Sequence, residues 1–133
     1  MAEVQNENVS FEELIVAAQR GDWELVDFQI VHAEHQTEER IAWAHNEGLS
    51  SSDQNIRDLA ATLLDESDAE LPQETLDRLE QLMKSDPHHI VRFRLAIALW
   101  KRRVRSEAVR EMMEAAKVDE DVGSEARAWG SVL

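Results

Sequence analysis

The stretch SDPHHIVRFRLAIALW, residues 85–100, decides the fold. An Asp-Pro corner, Asp86-Pro87, leads into a helical run that is apolar nearly all round and broken only by Arg92 and Arg94. A helix on the outside of a globular protein keeps one wet face. A helix without one is covered from several sides, so this segment sits in the middle of a stack of other helices.

The rest of the chain fits that reading. Its 133 residues hold four Gly and two Pro, no Tyr and no Cys. Glu, Ala, Leu and Arg, which favour helix, are among the commonest residues, and Gln adds to them. The class read from this composition is all-α. The length predicts one domain with a core large enough to stand without staples. The lack of cysteine excludes disulfides and thiolate metal sites, and a reducing cytoplasm is the expected location. No apolar run approaches the roughly 18 residues a membrane span needs. The start, MAEVQNENV, is polar and acidic and reads as a flexible tail over 1–9, not as a targeting peptide.

The net charge of -14 argues against nucleic acid as a ligand, because phosphate binding needs Lys and Arg. The charge is also unevenly placed. Residues 1–90 hold 21 acids and 5 bases, whereas 91–133 hold 7 acids and 9 bases.

Element boundaries can be read from caps and stripes. Ser10 with Glu13 forms a capping box ahead of a helix that Gly21 stops. Asp22 can cap the next helix, WELVDFQIVHAEH, and a third, QTEERIAWAHN, ends near Gly48. NIRDLAATLLDES, QETLDRLEQLMK, the run from Pro87 to about Arg103, EAVREMMEAAK and EARAWGSVL complete the series. Pro72 and Pro87 are expected in first turns, where a missing N–H costs nothing.

Shifting the sequence by 35 residues superposes these segments. Ser51, Asp86 and Asp121 align before successive helices, followed by Ile56, Val91 and Ala126 and then by Arg57, Arg92 and Arg127. Ile41 meets Leu76 and Ala44 meets Leu79 at the same shift. The units so defined are a cap helix 10–20, hairpins 22–50, 51–85 and 86–119, and a terminal half-repeat 120–133, all in a single domain 10–133.

SDPHHIVRFRLAIAL and SSDQNIRDLAATLL resemble the first helix of HEAT-like repeats, in the short form also found in phycobilisome-lyase-type proteins. The shared pattern is an Asp-containing corner, a β-branched residue, Arg, then small residues and Leu. Ile56-Arg57 and Val91-Arg92 carry it well. Ala126-Arg127 carries it in part, with Trp129 and Gly130 departing from it. A competing likeness, of AAQRGDWELVDFQI to an ankyrin hairpin, lacks the ankyrin turn downstream. The HEAT-like resemblance implies a right-handed α-α superhelix, or solenoid. It implies that Arg57, Arg92 and Arg127, with Asp53 and Asp86, tie successive repeats together. It also implies that the second helix of each hairpin lines a concave, partner-binding side. By register the outward positions there are Glu38, Trp43 and His45, then Asp77, Glu80 and Gln81, then Arg110, Glu111 and Glu114.

Candidates for chemistry are few. His32, His35 and Glu39, with Glu38 as a substitute, share one helix face at ligand spacing. A polar solvent face is the plainer account, and no metal or cofactor is expected. His88 and His89 read as tolerant positions of a corner. Lys101, Arg102, Arg103 and Arg105 concentrate basic charge at a turn. They are either a patch for an anion or acidic partner, or cations complementing a helix C-terminus. Asp65, Glu66, Asp68 and Glu70 read as a solvated acidic corner without the glycine of a calcium loop. Trp129 is a candidate for facing a partner. No nucleophile elbow or phosphate loop is present.

The expected function is therefore a non-catalytic protein–protein interaction module that binds a basic protein through an acidic face. Two other readings fit the same size and charge. One is an immunity-type inhibitor of a basic toxin or nuclease. The other, allowed by the resemblance, is an accessory subunit of a modifying enzyme such as a phycobilin lyase. The oligomeric state is expected to be a monomer, or a homodimer through the C-terminal helix and its Ala126, Trp129 and Leu133.

Overall fold

The structure is a computed structural model and describes residues 10–32 and 38–130. The tail 1–9, His35, the side chain of His32 and Leu133 lie outside the described residues. Eight α-helices and no strand occur among the described residues, so the protein is all-α. None of these helices is long and apolar enough to cross a membrane.

The first helix, α1 (Phe11–Gln19), starts at the capping box: the Ser10 hydroxyl accepts from the Glu13 N–H while the Glu13 carboxylate accepts from the Ser10 N–H. It ends where Gly21 takes a left-handed φ of +77°. There the Gly21 N–H returns to Ala18 and the Asp22 N–H to Ala17, the paired bonds of a Schellman motif. Helix α2 (Trp23–His32) follows, with Asp22 accepting from the Leu25 N–H. Helix α3 (Glu38–Asn46) leads into a 3-10 turn over Gly48–Ser50. Asp53 caps α4 (Gln54–Glu66) by accepting from Asn55 and Ile56. Helix α5 (Gln73–Ser85) has Pro72 at its N-cap, one residue ahead of the first turn expected for it.

Helix α6 (His89–Lys101) begins two residues after Pro87, with His88 as its N-cap. Asp86 shapes this corner by accepting from the His88 N–H at 2.9 Å. At its other end α6 closes in a second Schellman motif, the Arg103 N–H on Trp100 and the Val104 N–H on Leu99. Arg103 occupies the left-handed position that Gly21 fills after α1, with φ +69°. Ser106 caps α7 (Glu107–Ala116), and α8 (Gly123–Gly130) ends the described chain.

Packing follows the hydrophobic pattern. Nine of the thirteen residues of α6 are buried, because α6 meets α4, α5, α7 and α8 at once. Helix α3 rests on α4, α5 on α6, and α7 on both α6 and α8; α1 packs on α2 and α4. The core is continuous from Leu14 and Ala17 on α1, through Leu59, Leu63 and Leu64, to Leu95, Ile97 and Leu99, and on to Met113 and Ala126. The turn after α3 approaches α4 so closely that a Cβ on Gly48 would lie 2.6 Å from the Ala60 Cβ and 2.9 Å from the Trp43 ring.

Polar ties cross these contacts. Arg57 on α4 donates to the Asp86 carboxylate at 2.9 Å and to the Ser51 carbonyl at 3.0 Å. Arg92 donates to the Asp86 carbonyl at 2.7 Å, so one corner receives arginines from both α4 and α6. Arg127 donates to the Lys117 carbonyl, and Asp53 serves as the cap of its own helix.

Candidate functional site

Three surfaces hold the residues with chemical potential. The first is the outward side of α3, α5 and α7. His45 on α3 and Arg78 on α5 approach to 3.5 Å, and the Ser106 hydroxyl before α7 donates to Glu80 on α5 at 2.8 Å. These contacts link α3 to α5 and α5 to the N-cap of α7. Together the three helices carry eight acids and four bases. Glu38, Asp77, Gln81, Arg110, Glu111 and Glu114 are exposed there. Asp77 accepts from Gln73, and Glu114 from Lys117 at 2.8 Å. Glu80 and His45 are half-buried, and burial, reinforced by the Arg78 cation, pushes the His45 pKa down. Trp43 is turned inward: its ring meets Phe11 edge-on at 5.0 Å and walls a cleft of about 540 Å³ with Phe11, Glu12 and Glu39.

The second surface is the basic turn after α6. Three of its four cations are directed onto backbone carbonyls. Arg102 donates to Ala98 at the end of α6 and to Leu64, Ser67 and Ala69 around the end of α4, at 2.9–3.1 Å. Burial pushes its pKa down, against the pull of Asp65 and Asp68. Lys101 donates to the Asp65 carbonyl and lies 5.1 Å from the centre of the Trp129 ring. Arg105 donates to the Trp100 carbonyl at 2.8 Å and stacks on the Trp100 ring at 3.6 Å. Cations seated on the last carbonyls of helices complement the helix dipole. Arg103 alone of the four is exposed. Trp129, expected from its place on the last helix to be available to a partner, docks on α6: its carbonyl accepts from the Trp100 indole at 2.9 Å.

The third is a polar groove of about 440 Å³ between α2, α4 and α6, lined by Trp23, Asp27, Asn55, Asp58, His88 and Arg94 among others. Arg94 is part of its lining, with its Nε 3.0 Å from Asp58 and its Nη1 3.7 Å from Asp65. Burial pushes the Asp27 pKa up, an effect that Arg94 opposes and Asp58 reinforces. His89 lies 3.5 Å from Asp119 and packs edge-on against Phe93, so the histidine pair contributes to the rim.

Asp65 corrects the expectation of a solvated acidic corner. It stands on the last turn of α4, is 0 % exposed, and neither carboxylate oxygen has a hydrogen-bond donor. Glu66 beside it and Glu125 on α8 each offer an oxygen, and the three ligand atoms lie within 4.8 Å of one another. Burial raises the Asp65 pKa well above the usual carboxylate range, and Glu125 adds to the rise. Glu66 is raised by the same two causes. The signal available in the sequence is spacing: Asp58 and Asp65, seven residues apart, share one helix face and meet one arginine from the next unit. Of the metal candidates read from the sequence, Glu39 lies in the cleft beside Trp43, while His35 and the side chain of His32 fall outside the described residues. Comparison with protein-family models, curated proteins and solved structures finds no match to this chain.

Proposed function

We propose that this chain is a non-catalytic interaction module of HEAT-like helical units that binds a basic protein through the side formed by α3, α5 and α7. The observation that carries the reading is the excess of exposed acids on α3, α5 and α7, with Glu38, Asp77, Glu111 and Glu114 free of the core. Complementary charge of this kind speeds encounter and selects against wrong partners. The superhelical reading is supported by repetition: α4, α6 and α8 follow one another through α6, and α3, α5 and α7 each rest on the helix that comes next. The Arg57–Asp86 pair fits the role that a HEAT-like corner gives such residues. The basic turn is a poor rival, because Lys101, Arg102 and Arg105 are already engaged with carbonyls.

The test is a paired capture from source lysate at low and moderate salt, using the native chain and an Asp77→Lys/Glu111→Lys variant as baits, read by mass spectrometry. A basic protein retained by the native chain and lost with the variant is the expected result. A partner held equally by both baits, or none at either salt, removes the acidic side from the function.

A further inference from the structure

We infer that Asp65, Glu66 and Glu125 form a binding site for a hard divalent cation where α8 meets the end of α4. Clustered acids alone would not carry this, since exposed acidic groups are common. The decisive feature is Asp65. A fully buried carboxylate ordinarily gathers donors, because removing charge from water without compensation is costly. Neither Asp65 oxygen has an amide, hydroxyl or cationic donor, and the side chain it approaches is another carboxyl, Glu125. The Arg94 guanidinium stands 3.7 Å away and gives its shorter contact, 3.0 Å, to Asp58. Lys101 is engaged with the Asp65 backbone carbonyl, not with its side chain.

Around this point Asp27, Asp58, Asp65, Glu66 and Glu125 face Arg94, Lys101 and the field of Arg102. Two of these three cations, Lys101 and Arg102, are already seated on backbone carbonyls. A divalent ion meets the deficit and gives the buried Asp65 carboxylate a partner. The spacing is compatible with one shell: opposite oxygens around an ion with bonds of about 2.4 Å stand about 4.8 Å apart, and no two of the three ligand atoms are farther apart than that. An all-carboxylate donor set selects the calcium, manganese and magnesium class over soft metals. Glu66 is exposed, which gives the ion a route in and leaves room for water ligands.

The experiment strips the full chain with a chelator, exchanges it into chelator-free buffer, and titrates it at constant ionic strength with calcium, magnesium or manganese chloride. Uptake is read by calorimetry and, for manganese, by electron paramagnetic resonance; melting is followed in parallel. Saturable uptake of a single ion per chain and a rise in Tm of about 3–8 °C at saturation are expected. Asp65→Asn should abolish the uptake. Glu66→Gln, at an exposed position where folding is safe, should weaken it at least about tenfold. Glu24→Gln, at an exposed acid of α2 outside the cluster, should leave it unchanged. Absence of saturable uptake up to about 10 mM overturns the inference. So does a Tm rise that persists in both Asp65→Asn and Glu66→Gln, which is the mark of diffuse screening of an acidic chain. Ion-independent stabilisation by Asp65→Asn, without uptake by the native chain, also overturns it and assigns the cluster to a shared proton.

Discussion

Arg102 and Arg103 are neighbours of the same type, and the structure predicts opposite outcomes for replacing them. Arg102 makes four hydrogen bonds to carbonyls that belong to the ends of α4 and α6 and to the corner between α4 and α5. A hydrogen bond involving a charged donor contributes about 1.5–3 kcal/mol. The four share one guanidinium and do not add, and the side chain is only half-buried, so some freed carbonyls regain water. Arg102→Ala should cost about 3–4 kcal/mol on that basis. Arg102→Lys should cost about 2 kcal/mol, because a single ammonium cannot span carbonyls held by a planar fork. These are large fractions of the roughly 5–15 kcal/mol typical of a domain. Arg103 is exposed and left-handed, a conformation that costs a non-glycine residue about 1–2 kcal/mol. Arg103→Gly recovers that cost less about 0.5–1 kcal/mol of extra chain entropy, a net gain of between zero and about 1.5 kcal/mol. Urea unfolding of the three variants, with unchanged m-values, measures the differences. If Arg102→Lys lies within about 0.5 kcal/mol of the native chain, the cation is not holding the helix ends and the basic turn returns as an anion site.

Gly48→Ala should destabilise by about 2–3 kcal/mol, because the new Cβ meets Ala60 and the Trp43 ring, neither of which is a flexible tip; a denaturation midpoint equal to that of the native chain would refute the close approach. Asp86→Ala should cost about 3 kcal/mol, by stranding the half-buried Arg57 and losing the bond to the His88 N–H; a double-mutant cycle with Arg57→Ala should return a coupling near or above about 1 kcal/mol. The depressed pKa of His45 means the unfolded chain binds a proton that the folded chain resists, so this group lowers stability as pH falls below its ordinary value of 6.5. Raised carboxylates such as Asp27 act in the opposite sense, so the assay is the difference between the native chain and His45→Gln. That difference should be flat above about pH 7 and should shift against the native chain below about pH 6, and a flat difference throughout removes His45 from the pH response.

What the sequence discloses here is set by the range of the physics involved. The capping box at Ser10 and Glu13 and the stop at Gly21 depend on residues a few positions apart, and both are legible. The burial of α6 on every side is legible because an apolar run with no wet stripe has one physical meaning. Asp65 is different. Its place among Glu66, Asp68 and Glu70 reads as a solvated corner, yet it is buried, and what it meets comes from Arg94 and Glu125, 29 and 60 residues away. The basic turn shows the same limit: composition places four cations together, but only the third dimension brings the carbonyls of Leu64, Ser67 and Ala69 within reach of Arg102. Helix α6 starts two residues later than its Asp-Pro signal suggests, because the Asp86 carboxylate engages Arg57 and the His88 N–H and so shapes a corner before the helix begins.

The position of α6 bears on how the molecule opens. In a linear row of units, an end can melt while the rest stays folded. Here the helix with the most buried residues is also the one that four others cover, so detaching any of them exposes part of it. The amides of Ala96 to Leu99, at the centre of that helix, can exchange with deuterium only when the whole chain unfolds, and their protection should equal the global stability. Helix α8 is held chiefly through α6 and α7 and should exchange at lower cost. The chain thus carries its own internal scale of opening energies, highest at the middle helix and lowest at the last.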